Sequence, residues 1–249
     1  MTRADRAAPM RKAPHELQLE YYASTARAYD DSHIHDVDEH QEALEFITTL
    51  LPGLGARTVL DTGCGTGRGM RFLRERCPGL TVRGNDPSRE LLRVAHERHG
   101  LPLKDLVPSD TLALPDRPGA YDVVVSLAVL HHVPRSRPVV EKMLELASKA
   151  VFISDSNCFG QGSLPKRLVK LALAGMGLWR PMKFVAQGFK PYMVSEGDGI
   201  SYSYSVFSDL SVLQEHCRRV WAMPLGTGSR IGAAAPLLGA GSVLVCGLK

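Results

Sequence analysis

The sequence lacks the cysteine spacing, the long apolar runs and the charge bias that mark several classes of protein. No two of its five cysteines are spaced as CxxC, which argues against a disulfide framework or a structural zinc site and predicts reduced thiols in a cytoplasmic protein. The most apolar stretch, residues 171–179, is too short to span a bilayer, and the basic N-terminus has no apolar core of signal-peptide length. The net charge of +4 neither requires nor excludes an anionic partner.

What the sequence does contain is a regular alternation of elements, in a chain long enough for one α/β domain. Helices are predicted at 16–28 and 39–51, and over 58–154 short apolar strands alternate with helices. This alternation predicts a doubly wound, mostly parallel sheet with helices on both faces. Residues 1–14 are predicted as a mobile basic arm, and residues 15–249 as a single domain.

The alternation stops after Asn157, where an insertion at about 158–205 is predicted. Its helical part, residues 164–186, is basic and apolar. We expect a lid whose apolar face covers the active site, with contact to a membrane surface as the less favoured alternative. A last helix and two strand-like segments, at 220–223 and 242–246, complete a predicted sheet of seven strands.

The most informative segment is TVLDTGCGTGRG, which predicts a strand, a glycine-rich turn and the start of a helix. Gly63, Gly65 and Gly67 let the backbone turn tightly and let a ligand lie against it without an intervening Cβ. Arg68 stands where a dinucleotide-binding loop needs its last glycine. Asp61 would repel a pyrophosphate, so the loop favours a ligand with a cationic amine over a dinucleotide.

Two further acids follow the next two strands, at the same edge of the predicted sheet. Asp86, in GNDPS, has the position from which a carboxylate reaches both hydroxyls of a ribose, although an acid before Pro87 can also cap a helix. Asp110, in PSD, can accept a hydrogen bond from an exocyclic amine such as adenine N6. Because ligands of open α/β sheets bind at the carboxyl ends of the strands, these acids and the glycine loop predict a single ligand site.

Together, VLDTGCGTG, GNDPS, SD followed by TLALP, and YDVVVSLAVLHHVP resemble the motifs of class I S-adenosylmethionine-dependent methyltransferases, over residues 21–155. The resemblance implies the Rossmann-like fold of that family, N-terminal lid helices, and S-adenosyl-L-methionine as the cofactor. Thr62, in place of an aliphatic residue, and the polar Asn85 are small departures. The implied cofactor-binding residues are Asp61, Gly63, Cys64, Gly65, Asp86, Pro87, Asp110, Thr111, Ser126, Leu127, Tyr21 and Tyr29.

Methyl transfer is an in-line displacement, so the protein has to align the reactants and to remove a proton from a hydroxyl nucleophile. His131, just after the fourth strand, is the candidate base because imidazole titrates near neutrality. His132 is a candidate substrate contact, and packing or cofactor contact is the alternative role of both histidines. In this family the insertion after the fifth strand usually builds the acceptor pocket, which implies as substrate contacts Glu196, Asp198, Tyr202 and Tyr204. A solvated turn and an alternating strand are the other interpretation of these four residues.

Three other chemistries are disfavoured. The HIHDVDEH segment offers His33, His35, Asp36 and His40 as metal ligands, but no partner cluster matches it, so we predict a polar approach to the second helix and no metal. Cys158 is interpreted as an ordinary loop residue, since pyrimidine C5-methylating enzymes also need a Pro-Cys where this chain has SLAVLHH. The same segment lacks the Asn/Asp-Pro-Pro-aromatic tetrapeptide, which argues against adenine-N6 and glutamine methylation.

The sequence thus predicts methyl transfer to a hydroxyl or amine of a small, partly apolar metabolite in the cytoplasm. An RNA or protein methyltransferase is the rival enzyme, but the cations of the insertion alternate with apolar residues instead of forming a polar face with exposed aromatics. A catalytically silent cofactor-binding module and a nicotinamide oxidoreductase are the remaining alternatives, the latter weakened by Asp61 and Arg68. The oligomeric state is left open.

Overall fold

The fold is known from a computed structural model that describes residues 12–30, 39–195, 197–226 and 236–249. The strands of these residues are, in chain order, β1 (Thr58–Thr62), β2 (Thr81–Asn85), β3 (Leu106–Val107), β4 (Tyr121–Leu127), β5 (Ala147–Ser156), β6 (Tyr192–Ser195), β7 (Gly199–Tyr202), β8 (Arg219–Leu225) and β9 (Ser242–Leu248). Seven of them form one sheet in the order β3-β2-β1-β4-β5-β9-β8, and β6 pairs with β7 as a separate hairpin. The first five strands are parallel, whereas β9 is antiparallel to both β5 and β8. The predicted mostly parallel sheet of seven strands is confirmed.

Helices connect these strands and cover the sheet. They are α1 (Pro14–Thr25), α2 (Glu39–Leu50), α3 (Arg68–Arg76), α4 (Arg89–His99), α5 (Ser136–Leu146), α6 (Leu164–Gly175), α7 (Trp179–Ala186) and α8 (Leu210–His216). Short 3₁₀ turns lie at Leu103–Asp105, Thr111–Ala113, Leu130–His132, Cys158–Gly160 and Val206–Asp209. β3 is short because Leu103–Asp105, directly before it, form a 3₁₀ turn.

The core is divided into two layers by the alternation of side chains along each strand. On one face, Val123 and Val125 of β4 pack with residues of α2 and α3. On the other face, Val124 packs with residues of α5 and α8. Because both faces are covered, the central strands are apolar throughout, and the sequence of β4 has this character.

The helices of the insertion leave much of their apolar surface uncovered, and their role as a lid stays a prediction. α6 and α7 contain no buried residue, and many of their apolar side chains, among them Leu168, Met182 and Val185, are exposed. α6 packs on α7 and on the turn at Cys158–Gly160, and the outer surface of the two helices is left uncovered. It is the β6–β7 hairpin that reaches the ligand edge of the sheet, where Ile200 is buried. Among the described helices, none combines the length and the apolar content that crossing a membrane requires.

Candidate active site

The glycine loop joins β1 to α3 at the carboxyl edge of the sheet, and its glycines have backbone angles that favour glycine. The φ angles of Gly63, Gly65 and Gly67 are 69°, 53° and 76°. A Cβ at Gly67 would lie 2.3 Å from the Cδ1 of Leu101, so the packing of Leu101 leaves no room for a side chain at this position. A Cβ at Gly65 would meet no atom within 4 Å. Gly65 therefore presents bare backbone to open space, as a ligand-cradling loop requires.

Asp61 is a buried carboxylate at the end of β1, with 2% of its surface exposed. Among the described residues it has no hydrogen-bond partner, although its Oδ2 faces the backbone of Gly69. Burial and repulsion by Asp86 raise its pKa to about 7. A buried acid without a partner is costly, and a bound cation would restore its charge. The sequence-based prediction of a cationic ligand group fits this position.

Asp86 is held by two backbone groups. Its Oδ2 accepts a hydrogen bond from Gly65 N at 3.0 Å, and its Oδ1 accepts one from Ser88 N at 2.8 Å. Burial raises its pKa to about 6, because the loss of hydration outweighs these two hydrogen bonds. The helix cap of α4 is the Ser88 side chain, which accepts from Leu91 N at 3.3 Å. Asp86 thus joins the glycine loop to the start of α4 and still borders the cavity described below.

The turn after β3 is held by the side-chain amide of Asn85, a residue that departs from the family's motif. The Nδ2 of Asn85 donates to Ser109 O at 3.0 Å and to the Oγ1 of Thr111 at 3.1 Å. Asp110 is exposed, and its Oδ1 accepts from Leu112 N at 2.8 Å. Asn85 therefore fixes the turn that carries the two predicted adenine contacts. The Oγ of Ser126, another predicted cofactor contact, is buried and has no hydrogen-bond partner in the part of the chain that the structure describes.

These residues surround a cavity of about 730 Å³, here called the loop cavity. The predicted cofactor residues that line it are Asp61, Gly63, Cys64, Gly65, Asp86, Pro87, Asp110, Thr111, Leu127 and Tyr29. Tyr21 is not among the lining residues. Its neighbour Tyr22 lines the cavity instead, with its ring 6.2 Å from that of His132 and 5.8 Å from that of Tyr29. The ring of Tyr21 packs beside Gly199 of β7.

The N-terminal segment is tied to the glycine loop by a buried acid that sequence reasoning missed. The Oδ1 of Asp30 accepts a hydrogen bond from the hydroxyl of Thr66 at 2.6 Å, and its Oδ2 lies 3.0 Å from the Nε2 of His99. Asp30 directly follows Tyr29, one of the predicted cofactor contacts. Its position after a helical segment was the available signal.

His131 lies on the 3₁₀ turn after β4, between two carboxylates. Its Nδ1 is 2.8 Å from the Oδ1 of Asp155 and its Nε2 is 3.4 Å from the Oδ2 of Asp198. Burial alone would lower its pKa, but the attraction of Asp155 and Asp198 outweighs burial and raises the pKa to about 10. In this arrangement His131 is an imidazolium at neutral pH.

His132 contacts the β6–β7 hairpin, which also carries Asp198. Its Nδ1 is 2.6 Å from the carbonyl oxygen of Ile200, which makes Nδ1 the donor, and its Nε2 is 3.3 Å from the Oδ1 of Asp198. The Nε2 atoms of both histidines and a carboxylate oxygen of Asp198 lie within 4.8 Å of one another, a donor set of types that bind metals. The ion pair of protonated His131 with Asp198 accounts for this convergence without a cation.

Of the two carboxylates, Asp155 was missed from the sequence and Asp198 was named only as a substrate contact. Asp155 is fully buried at the end of β5, within an SDSN run in which Ser154 and Asn157 are also fully buried. Consecutive polar residues closing an apolar strand were the available signal. Asp198 is positioned by α1, since the Nε2 of Gln18 donates to its carbonyl oxygen at 3.3 Å.

Two of the remaining predicted substrate contacts, Tyr202 and Tyr204, border one cavity. This second cavity of about 1070 Å³, here called the outer cavity, shares Gln18 and His132 with the loop cavity. Tyr202 belongs to β7, whereas Tyr204 lies beyond it, is buried, and donates its hydroxyl to the Oδ2 of Asp209 at 2.9 Å. Glu196 lies outside the described residues.

The structure describes only the end of the HIHDVDEH segment, which offers candidate metal ligands. His33, His35 and Asp36 lie outside the described residues, whereas the Nδ1 of His40 lies 3.1 Å from the Oγ of Ser154. Cys158 begins a 3₁₀ turn, and burial raises the pKa of its thiol. That shift opposes the formation of a thiolate nucleophile.

A sequence profile of the family described as a methyltransferase domain matches residues 59–150. This range runs from β1 through the glycine loop, the Asp86 and Asp110 turns and the histidine turn to the start of β5. Residues 59–150 of this chain match a methyltransferase domain, as the sequence motifs predict. The order of the strands belongs to the class I methyltransferase fold, which the solved structure described below shares.

Two curated relatives and one solved structure illustrate the likeness. Ubiquinone biosynthesis O-methyltransferase of Nitrosomonas europaea is 29% identical over 152 residues, which cover 57% of this chain and 63% of the relative. Trans-aconitate 2-methyltransferase of Mycolicibacterium gilvum is 42% identical over 78 residues, or 31% of this chain and 29% of the relative. The chain thus matches less than two thirds of the length of either relative.

The solved structure is magnesium protoporphyrin IX methyltransferase of Synechocystis PCC 6803 with bound S-adenosylmethionine. It aligns with 97% of this chain and 100% of its own, at a TM-score of 0.62 and 16% identity. The same protein has been crystallised with S-adenosylhomocysteine. At this identity the likeness shows a common fold, and the predicted fold is confirmed over nearly the whole chain.

Proposed function

We propose that this chain transfers a methyl group from S-adenosyl-L-methionine to a hydroxyl or amine of a small, partly apolar molecule. The observation that carries the proposal is the buried carboxylate of Asp61, which has no hydrogen-bond partner among the described residues, beside the open backbone of Gly65. Both face the cavity that also contains Asp86 and His131. The family of the matched domain and its cofactor-bound structural neighbour support the choice of cofactor.

The chain's residues fit each part of this cofactor. Asp61 offers a negative charge to the ammonium of the methionyl group, and pairing would remove the cost of its burial. Gly65 leaves room for a ligand against the backbone. Asp86 offers carboxylate oxygens to a ribose, and the turn with Asp110 and Thr111 offers an acceptor for an exocyclic amine.

When bound, the cofactor supplies a methyl group on a sulfonium, whose departure as a thioether needs no proton. The chain then has two tasks, which are to align the acceptor and to take its proton where the nucleophile is a hydroxyl. His131 is the candidate for the second task because it lines the loop cavity and is oriented by Asp155. Asp155 keeps the Nδ1 proton in place and leaves Nε2 as the atom that accepts.

With Asp198 in contact, His131 is protonated and cannot act as a base. We therefore propose that the acceptor displaces Asp198 when it binds. Removing one of two neighbouring anions lowers the pKa of His131 toward neutrality, where an imidazole can accept a proton. Asp198 is suited to this movement, since it is only partly buried and lies in the short turn between β6 and β7.

The acceptor is proposed to occupy the outer cavity. That cavity meets the loop cavity at Gln18 and His132, next to His131. Its lining combines Trp179, Phe184 and Tyr202 with cationic and hydroxyl groups, which suits a partly apolar molecule. One curated relative is named for O-methylation in ubiquinone biosynthesis and the other for methylation of trans-aconitate, which supports a small-molecule acceptor for this chain.

The first experiment is calorimetric titration of the purified protein with S-adenosylmethionine, S-adenosylhomocysteine and NADH. We expect the first two to bind with micromolar affinity and NADH not to bind. Binding of NADH alone, or of none of the three, would overturn the proposal. Transfer of labelled methyl groups to a panel of phenols, carboxylic acids and amines, with bulk RNA and protein in parallel, then tests the acceptor class. Transfer to RNA or protein alone would favour the rival enzyme.

A further inference from the structure

The exposed apolar side chains of the described residues are concentrated in one region. All but two of the large hydrophobic residues that are exposed lie between Leu164 and Val194, in α6, α7 and the segment that follows. The two exceptions are Leu103 and Leu112. Scattered exposed apolar residues are ordinary, but a continuous group of them marks an interaction surface.

The spacing of these residues places several of them on one side of α7. Leu178, Met182 and Val185 follow at i, i+4 and i+7, and Phe189 comes a turn later. The absence of any buried residue in α6 or α7 means that this side is not packed against the described body of the protein. We call this surface, with the neighbouring cations, the insertion patch.

Phe189 is exposed to solvent and has an unfavourable backbone conformation. It is 70% exposed and has a φ of 59°, in the left-handed region that a bulky side chain rarely adopts. Its N–H donates to Phe184 O at 2.9 Å, and the two rings meet edge to face at 5.7 Å. This closure of α7 after Gly188 is the motif by which many helices end. A strained, exposed phenylalanine is consistent with a role in contact.

The charged side chains of the insertion patch are all basic. The insertion contains no Asp or Glu between Asn157 and Ser195, and its basic residues are Lys166, Arg167, Lys170, Arg180, Lys183 and Lys190. Two of them attach α6 to the body of the protein, since Arg167 donates to Leu238 O at 2.6 Å and Lys170 to Cys158 O at 2.7 Å. Lys166, Arg180 and Lys190 form no ion pair with any described residue.

We propose that the insertion patch docks the protein onto an anionic lipid surface. Apolar side chains flanked by unpaired cations are complementary to the acyl boundary and the negative headgroups of such a surface. A second copy of this chain is a poorer occupant, because it would bring cations against cations. An RNA partner would leave the apolar side chains in water.

The patch adjoins the outer cavity. Trp179 and Phe184 of α7 line that cavity on one side, and His132 lines it beside the histidine turn. Docking would hold the α7 wall of the cavity next to the bilayer, which suits an amphipathic acceptor. This consequence rests on the proposed function, whereas the docking itself does not.

The test is flotation of the full chain with vesicles of phosphatidylcholine alone or mixed with phosphatidylglycerol, at low and high salt. The test variant is F189S/K190E, and its matched control is L103S/K104E, which changes an exposed leucine and its adjoining lysine elsewhere. We expect salt-sensitive binding to the mixed vesicles only, weakened about 30-fold or more in the test variant. The control should bind like the unmodified chain.

Trp179 supplies a second readout. In a Trp221→Phe background it is the remaining tryptophan of the chain, and its fluorescence should shift to shorter wavelength with the mixed vesicles. Failure to bind the mixed vesicles at low salt, or an equal loss in both double variants, would overturn the proposal. So would a dimer in sedimentation that F189S/K190E abolishes, since a second copy would then cover the patch. Calorimetry with S-adenosylmethionine, run on every variant, keeps failure of the proposed function separate from failure of docking.

Discussion

The imidazole of His131 is held against the carboxylate of Asp155, with 2.8 Å between Nδ1 and Oδ1. Asp155 is fully buried, and it also accepts hydrogen bonds from the backbone N–H of Leu130 at 2.7 Å and of Ser156 at 2.6 Å. Burial favours its neutral form, but these contacts outweigh burial and lower its pKa. Asp155 is therefore a fixed anion behind His131, whereas Asp198 is a second anion on the side of the hairpin.

Replacing Asp198 by Asn should lower the pKa of His131, which is raised to about 10 with both anions present. The remaining charged neighbour is Asp155, and His132 beside it adds no negative charge. We expect a fall of about one pH unit or more, measured by following the His131 ring protons in NMR titrations. Glu97→Gln, on an exposed helix surface, is the control. An unchanged titration in Asp198→Asn would refute the proposed role of Asp198.

Replacing His131 by Ala should lower turnover about 10²-fold or more while leaving the affinity for S-adenosylmethionine nearly unchanged. The reason is that His131 is proposed to take the acceptor's proton, and its contacts are with Asp155 and Asp198, not with the glycine loop. Steady-state kinetics and calorimetry on the same preparations check both parts. A parallel loss of cofactor affinity would instead assign His131 to shaping the cofactor pocket.

Replacing Asp61 by Asn should stabilise the cofactor-free protein at neutral pH and abolish its affinity for S-adenosylmethionine. The pKa of Asp61 is raised from 3.8 to about 7, so the folded state binds more protons than the unfolded state between these values. Stability from this group therefore falls as pH rises through that window. We expect Asp61→Asn to gain about 1–3 kcal/mol above pH 7 and nothing near pH 4.

Urea unfolding of the Asp61→Asn variant and its parent across this pH range is the measurement. Cys64→Ser, a neighbour in the same loop, controls for general disturbance of the site. Equal stability of the Asp61→Asn variant and its parent at every pH would mean that the carboxylate has a partner in solution.

Replacing Gly65 by Ala should weaken cofactor binding beyond its effect on folding. Gly65 and Gly100 have similar φ angles of 53° and 66°, and a Cβ at either would meet no atom within 4 Å. Gly100→Ala at the end of α4 therefore matches the backbone strain, about 1 kcal/mol, without touching the cavity. We expect similar losses of melting temperature but a loss of cofactor affinity in Gly65→Ala alone. Equal affinities of the Gly65→Ala and Gly100→Ala variants for S-adenosylmethionine would mean that the cofactor does not bind against the glycine loop.

The part of the site that lies at the strand ends was predictable from sequence. Asp61 lies at the end of β1, Gly65 follows β1 and Asp86 follows β2, and parallel strands bring their carboxyl ends to one edge. Tyr21 and Tyr22 show where this reasoning fails. Both lie on α1, and which of them borders the cavity depends on how the helix is rotated against the sheet, a choice made by packing and not by local pattern.

The charge state of His131 was likewise beyond the sequence. Asp155 lies at the end of the neighbouring strand and Asp198 lies on the hairpin of the insertion, so neither is close to His131 along the chain. The exposure of the insertion helices was beyond the sequence for a related reason. An apolar helix predicts burial somewhere, but α6 and α7 leave many of their apolar residues exposed, and only the tertiary structure decides what covers such a surface.

By itself, the sequence determined the order of strands and helices, the glycine loop and the acids at the strand ends, because these follow from local periodicity, backbone freedom and the geometry of parallel sheets. The tertiary structure alone decided which anions surround His131, which tyrosine borders the cavity and which apolar surface stays uncovered. Those outcomes depend on contacts between distant segments, whose burial and electrostatic energies arise only once the chain has packed.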